Sequence, residues 1–207
     1  MFHRQSTRLI RKHPAKFPVD ADTELRIVRE DDAAAIFALT DANRAHLRRW
    51  LPWVDNTRSV ADTRAFALRS LEQLRNNDGF QTTVWHRGQL VGVVGFHYFD
   101  WTNKRTEIGY WLAESFQGRG IMTRACQALV DYAFRGLGLN RIEIRVAPDN
   151  ARSQGIPRRL GFREEGTLRE VAWLNDRFID LVVYSLLRED RPAGPLTPSP
   201  RGVSRSL

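Results

Sequence analysis

Two glycines flank an arginine in Gln117-Gly-Arg-Gly-Ile-Met-Thr123, and a helical apolar pattern follows at Ile121, Ala125, Ala128, Leu129 and Tyr132. A glycine-spaced turn that opens a helix points several backbone N–H groups into one concavity at the positive end of the helix dipole. That is what gripping a phosphate or pyrophosphate requires. The segment lacks the Gly-Lys-Ser/Thr ending of a phosphate loop that works on Mg²⁺-bound nucleoside triphosphates. Met122 and Thr123 also stand where a dinucleotide fingerprint would place its last glycine. Just upstream, Arg105 to Leu112 reads as a strand carrying one carboxylate, Glu107. By position alone Glu107 is a surface ion-pair partner for Arg105, and by chemistry it is a proton acceptor for an amine. Asn150 and Ser153 have the spacing of a helix cap and its first turn.

Taken together these segments resemble the GNAT acetyltransferases. Arg105-Thr-Glu-Ile-Gly-Tyr-Trp-Leu112 with Gln117–Thr123 is similar to the family's motif A, and Pro148-Asp-Asn-Ala-Arg-Ser-Gln-Gly-Ile-Pro-Arg-Arg-Leu-Gly-Phe162 to its motif B. Arg48-Arg-Trp-Leu-Pro-Trp53 adds a likeness to the RimJ/RimL-like enzymes, which acetylate ribosomal-protein N-termini. The resemblance spans roughly residues 24 to 188. It implies acetyl-CoA as co-substrate, with no metal. The pyrophosphate would sit on Gln117, Gly118, Arg119, Gly120, Ile121 and Met122. The pantetheine arm would lie along Ile108, Gly109, Tyr110, Trp111 and Leu112, where a β-bulge would free backbone groups. Asn150 would position the pantetheine amide, Glu107 would serve as general base and Ser153 as acid for the leaving thiolate. Pro157 removes the N–H that would bond the Ser153 carbonyl, so a kink or an irregular turn is expected there. Arg48, Arg49, Trp50, Trp53, Phe96 and Tyr98, with Trp111, are expected to wall the acceptor pocket. Glu114 and Glu143 are expected to be solvated.

The implied acceptor is a protein N-terminal α-amine, ribosomal in the subfamily, with a small amine such as an antibiotic, polyamine or amino acid as the alternative. A non-catalytic acyl-CoA-binding module is a third reading, against which Glu107 and Ser153 both argue.

Composition bounds the remaining classes. The chain has 207 residues, 42% of them hydrophobic, which suits one domain with a full core. No apolar run reaches the length of a membrane span, and the basic start carries no signal-peptide core. The single cysteine, Cys126, fits a reducing cytoplasm and reads as a buried structural thiol. The formal charge of +8 is placed mainly at the ends, +3 in residues 1–23 and +2 in residues 188–207. No arginine-rich groove with interleaved aromatics occurs between them, so no specific nucleic-acid partner is expected. The five histidines show no zinc-ligand spacing. A homodimer is compatible with these features.

The elements that must hold these residues follow from periodicity and capping. The reading is a basic N-terminal extension (1–23), an acetyltransferase domain (24–189) and a Pro/Ser/Arg-rich tail (190–207). Within the domain a short strand precedes a helix running from Asp31 or Asp32 through Ile36, Leu39, Leu47 and Trp50 to a stop at Pro52. Ser59 to Asp62 forms a capping box for a second helix to about Asn76. Strands follow at 80–85, 90–98 and 105–112, then the phosphate loop and its helix. Arg141–Val146 alternates strictly, Asn150 caps a helix to Leu160, and strands near 162–169 and 178–187 complete the pattern. This is a mixed α/β fold with a mostly antiparallel central sheet flanked by helices, parallel only where the late helices cross over.

Overall fold

The computed structural model describes residues 13–191, so the tail beyond Arg191 and the basic residues Arg4, Arg8, Arg11 and Lys12 lie outside the described residues. Eight strands form one sheet in the order β1-β2-β3-β4-β5-β6-β8-β7. They are β1 Lys16–Pro18, β2 Thr23–Ile27, β3 Phe80–His86, β4 Gln89–Asp100, β5 Arg105–Leu112, β6 Arg141–Val146, β7 Arg163–Leu174 and β8 Arg177–Leu187. Every pairing is antiparallel except β5 with β6, which the crossover helix α4 (Ile121–Asp131) makes parallel.

The two faces of the sheet are covered by different helices. Buried Ile121, Met122, Ala125, Cys126, Leu129 and Val130 of α4 share one core with Phe80, Phe96, Ile108, Leu112, Ile142 and Ile144 of the sheet. Each fully buried aliphatic side chain there contributes about 1.5–3 kcal/mol. Cys126 is completely buried, and desolvation pushes its thiol far up, so it stays neutral and packs as an apolar group. On the opposite face α1 (Ala33–Ala42) and α3 (Val60–Arg75) place Ile36, Ala67 and Phe66 against Val28, Leu90 and Trp111. The capping box at the start of α3 forms as the spacing predicts: Ser59 Oγ accepts from the Asp62 N–H at 3.3 Å, and Asp62 Oδ2 accepts from the Ser59 N–H at 2.9 Å.

Four local features differ from the sequence reading. The first helix breaks at Asn43, whose side-chain amide donates to the Leu39 carbonyl at 2.9 Å. A separate α2 (Arg44–Arg48) then ends before Trp50. An Asn that bonds back to the preceding turn competes with helix continuation. In the segment read as a basic N-terminal extension outside the domain, β1 pairs with β2, and Phe17 is buried against Phe80 and Tyr132. β7 extends to Leu174, and Asn175 and Asp176, both at positive φ, turn the chain tightly into β8. Glu143, expected to be solvated, is 4% exposed and bonds Arg141 at 2.9 Å and Arg145 at 3.0 Å. Burial raises its carboxyl, but the two guanidinium partners outweigh that and hold it below the usual range.

Candidate active site

The β5–β6 ladder pairs only Arg105–Glu107 with Arg141–Glu143 and then stops, although both strands continue. Beyond Glu107 the strands splay, and a cleft of about 1890 Å³ opens between them, reaching α1, α3, α4 and the helix α5 (Ala151–Arg159). The expected bulge in β5 is therefore a splay. The register shift lies in β4, where Phe96 to Phe99 oppose Ile108 to Thr106. Ala113 N–H bonds the Val91 carbonyl on the β4 side. Strand alternation then turns the backbone groups of Leu112 and Tyr110 toward the gap. Ile108 and Leu112 bury their side chains in the core, so only their backbone is available to a ligand.

The phosphate-binding geometry is built from conformation. Gly118 and Gly120 have φ of 74° and 70°, in the left-handed region that side chains resist. Gly120 is the N-cap of α4 and provides no side-chain cap, so the first-turn N–H groups, including those of Ile121 and Met122, keep no partner within the helix. A Cβ on Gly118 would meet open space, and one on Gly120 would fall 2.8 Å from the Arg124 guanidinium, which is held by Asp20 and the Arg119 carbonyl. The loop thus leaves room for an anion at a helix N-terminus. Gln117 is fixed from both sides, by His46 at 2.7 Å and Arg152 at 2.7 Å. Arg119 turns away: it donates to the Ser115 carbonyl at 2.9 Å, lies over the Phe116 ring and does not line the cleft. The cations facing the cleft near the loop are Arg152 and Arg159 instead.

Asn150 caps α5 by accepting from the Ser153 N–H at 3.2 Å, which leaves its amide nitrogen free toward the cleft it lines. Ser153 Oγ donates to the Tyr110 hydroxyl at 3.1 Å, and that hydroxyl donates to the Ser153 carbonyl at 3.0 Å. Burial pushes the Tyr110 phenol far up, so it remains a donor at any working pH. α5 continues as one helix through Pro157, and the Tyr110 hydroxyl donates to the Ser153 carbonyl that the proline leaves unpaired.

On the α1/α3 side of the cleft stand Arg49, Trp50, Trp53, Phe66, Arg69 and Trp111, with Trp53 and Trp111 ring centroids 6.0 Å apart. Three residues assigned to this wall fall elsewhere. Phe96 is fully buried among Phe80 and Phe99. Arg48 is paired with Asp55 at 2.7 Å and does not line the cleft. Tyr98 is half-buried, outside the cleft, where burial and the nearby Glu143 and Glu107 carboxylates raise its phenol. Glu107 lies just behind the wall, its side chain 15% exposed, with Oε1 3.2 Å from His97 Nδ1 and Oε2 3.3 Å from Arg145 Nε.

Sequence reasoning missed His97, Arg69, Arg152 and Arg159. The glycine loop flags its own residues, whereas these four are brought to the cleft by tertiary contacts that carry no local signature. Among the described residues no three His, Cys, Asp or Glu side chains converge as metal ligands, and no helix is long and apolar enough to cross a membrane.

Comparison with known proteins agrees with this geometry. Residues 22–163 match the family described as acetyltransferase (GNAT) domain. The chain is 35% identical to the putative ribosomal N-acetyltransferase YdaF of Bacillus subtilis (strain 168), over 83% of this chain and 94% of that protein. It is 32% identical to the ribosomal-protein-serine acetyltransferase of Escherichia coli (strain K12), over 81% and 93%. Among solved structures, a RimL ribosomal L7/L12 alpha-N-protein acetyltransferase in complex with coenzyme A superposes with a TM-score of 0.82 at 30% identity, covering 85% of this chain and 99% of that one. With a splayed β5–β6 pair, an uncapped glycine loop at α4 and this likeness over most of its length, the chain belongs to the GNAT acetyltransferase family.

Proposed function

We propose that this enzyme transfers the acetyl group of acetyl-CoA to the α-amine of a protein N-terminus, of the ribosomal-protein type on which its relatives act. The observation that carries the acceptor is the charge of the α1/α3 wall. Arg49 and Arg69 line it, and among the described residues neither makes an ion pair; Arg49 lies over the Trp50 ring. Of the carboxylates that line the cleft, Asp62 of α3 is spent on the Ser59 and Arg58 N–H groups of its own helix start, and Glu114 and Asp149 lie outside α1 and α3. An extended peptide with acidic side chains suits two free guanidinium groups beside indole rings. A polycationic acceptor finds like charge there.

Acetyl-CoA would lie with its pyrophosphate on the α4 first turn between Gly118 and Met122, its pantetheine arm in the splay against β5 and its thioester near Tyr110 and Ser153. When bound it supplies the activated acetyl group. The chain then has to orient the amine, deprotonate it and return a proton to the thiolate, and the Ser153–Tyr110 hydroxyl pair supports Ser153 in the last of these roles.

The reading includes a cytoplasmic site of action and no specific nucleic-acid or membrane partner. It also includes a homodimer, supported by the exposed apolar side chains Leu168, Val171, Trp173 and Phe178 on the β7–β8 hairpin. The test is acetyl-CoA turnover against N-terminal peptides of graded charge, aminoglycosides and polyamines. Acidic peptides should give the highest kcat/KM; a polyamine or aminoglycoside as the best acceptor would transfer the reading to small amines.

A further inference from the structure

The carboxylate on β5 is poorly placed to meet an incoming amine. Glu107 does not line the cleft, and both its oxygens are engaged, one by His97 and one by Arg145. His97 does line the cleft, and its side chain is 51% exposed. Its position is set by three independent features. The β4 bulge sets His97 and Tyr98 across from Glu107, keeping Phe96 and Phe99 in the core while His97 emerges on the α1/α3 side. Gly109, one residue into the splay, has no side chain, and the ring lies over it: a Cβ there would fall 2.0 Å from His97 Nε2 and 2.4 Å from Cε1. Gln73 of α3 donates to the His97 carbonyl at 3.1 Å, holding the bulge.

A carboxylate only accepts hydrogen bonds, so Glu107 fixes the tautomer with the proton on Nδ1 and the lone pair on Nε2. The charged and titratable groups around the ring are few. Glu107 on β5 touches it, with Arg145 and Glu143 of β6 behind. Tyr98 follows on β4, and Arg69 of α3 borders the same cleft.

We infer that His97 is the general base of acetyl transfer and that Glu107 is a positioning residue acting through it. This role rests on the acetyl-transfer reading above. Nε2 takes one proton from the acceptor ammonium, leaving a neutral amine and an imidazolium that Glu107 stabilises. The amine nitrogen bonds to the thioester carbonyl carbon, the carbon–sulfur bond breaks, and coenzyme A departs as a thiolate that receives a proton from the Ser153 side. The surplus N–H proton of the acylated nitrogen replaces the one given up on the Ser153 side, and the imidazolium proton passes to solvent, so one proton is released per turnover. The imidazole lies over Gly109 and lines the cleft, whereas Tyr110 packs with the α4 core and meets Ser153 of α5, so the two proton-transfer groups stand on opposite faces of β5.

The test compares wild type with His97→Gln, Glu107→Gln and Gly109→Ala, using several amine acceptors across pH 5.5–9, with acetyl-CoA affinity by calorimetry. His97→Gln should lower kcat on the order of 10²-fold with acetyl-CoA affinity unchanged, and its rate should keep rising with pH because only pre-deprotonated amine reacts. Gly109→Ala should reproduce that profile with the imidazole still present, since its methyl group displaces the ring. Glu107→Gln should give a smaller loss and alter the ring's ¹⁵N tautomer signature. If His97→Gln keeps the wild-type rate and pH profile while Glu107→Gln loses both, the carboxylate is the base and this role is overturned. Wild-type chain that binds acetyl-CoA yet acetylates no amine would remove the functional reading, and this role with it.

Discussion

The Tyr110 hydroxyl and the Ser153 carbonyl form a 3.0 Å hydrogen bond that replaces the one Pro157 cannot make. A proline four residues along leaves that carbonyl without its helical N–H, and a buried phenol from β5 fills the vacancy. The same phenol accepts from Ser153 Oγ, so β5 and α5 are tied through two atoms of one residue.

Tyr110→Phe should therefore destabilise the fold by about 1–3 kcal/mol, the usual cost of leaving a buried acceptor unpaired. Adding Pro157→Ala to it should restore much of that loss by returning an N–H to the carbonyl. Thermal unfolding of the two single variants and the double variant measures this coupling. Additive losses would show that the two positions are independent.

Gly120→Val should weaken acetyl-CoA binding by about tenfold or more, because it forces a branched side chain into φ of 70° at the turn that presents the helix amides. Calorimetry on folded variant protein measures it. Arg119→Ala should have a much smaller effect, since that side chain packs on Phe116 away from the cleft.

Charge reversal tests Arg49 and Arg69 as the proposed acceptor contacts, with Arg48, which does not line the cleft, as the control. Arg49→Glu with Arg69→Glu should reduce kcat/KM most for acidic peptides and least for neutral ones. Arg48→Glu should spare that selectivity, because Arg48 is neutralised by Asp55. The ratio of kcat/KM between acidic and neutral peptides is the readout.

The Arg141 cluster sets an acid limit on stability. Hydrogen bonds from Arg141 and Ser185 pull the Glu165 carboxyl from 4.5 down to about 2, and Glu143 is also lowered. A depressed carboxyl contributes in full above its unfolded value and loses that contribution as pH falls through the folded one. Glu165→Gln should then lower Tm at pH 7, with the gap to wild type closing between about pH 4.5 and 2. Glu165 is 43% exposed, so added salt should shrink the gap as well.

Removal of residues 1–18 should lower Tm, since β1 goes with them and Phe17 leaves its place against Phe80 and Tyr132. Removal of residues 192–207 should not. Differential scanning fluorimetry of the two truncations distinguishes the ends.

Much of this architecture is legible in sequence because it is locally encoded. Strict alternation bounds β6 at Arg141–Val146, the Ser59/Asp62 pair starts α3, and two glycines mark the anion site. The acceptor wall is less legible. Phe96 and Tyr98 lie close in sequence to the residue that does face the cleft, but a bulge changes which side chains emerge, and no periodic pattern encodes it. Arg48 and Arg49 are adjacent and alike, and only the fold shows that Asp55 takes one of them. Glu143 reads as solvated because its two arginine partners and its burial both depend on neighbouring strands.

The splay of β5 from β6 carries a cost as well as a site. Past Glu107 and Glu143 the sheet interior has two inward edges with no ladder between them, and backbone polar groups in such a place favour any partner that can bridge them. On the proposed placement, a bound pantetheine arm would act as a non-peptide strand completing the sheet. The folded state and the acetyl donor are thereby thermodynamically linked: donor at about 100 times its Kd adds roughly 2.7 kcal/mol to stability. The lifetime of this enzyme in a cell should follow the supply of coenzyme A, and starvation for it should expose the chain to unfolding and proteolysis before acetylation itself becomes substrate-limited.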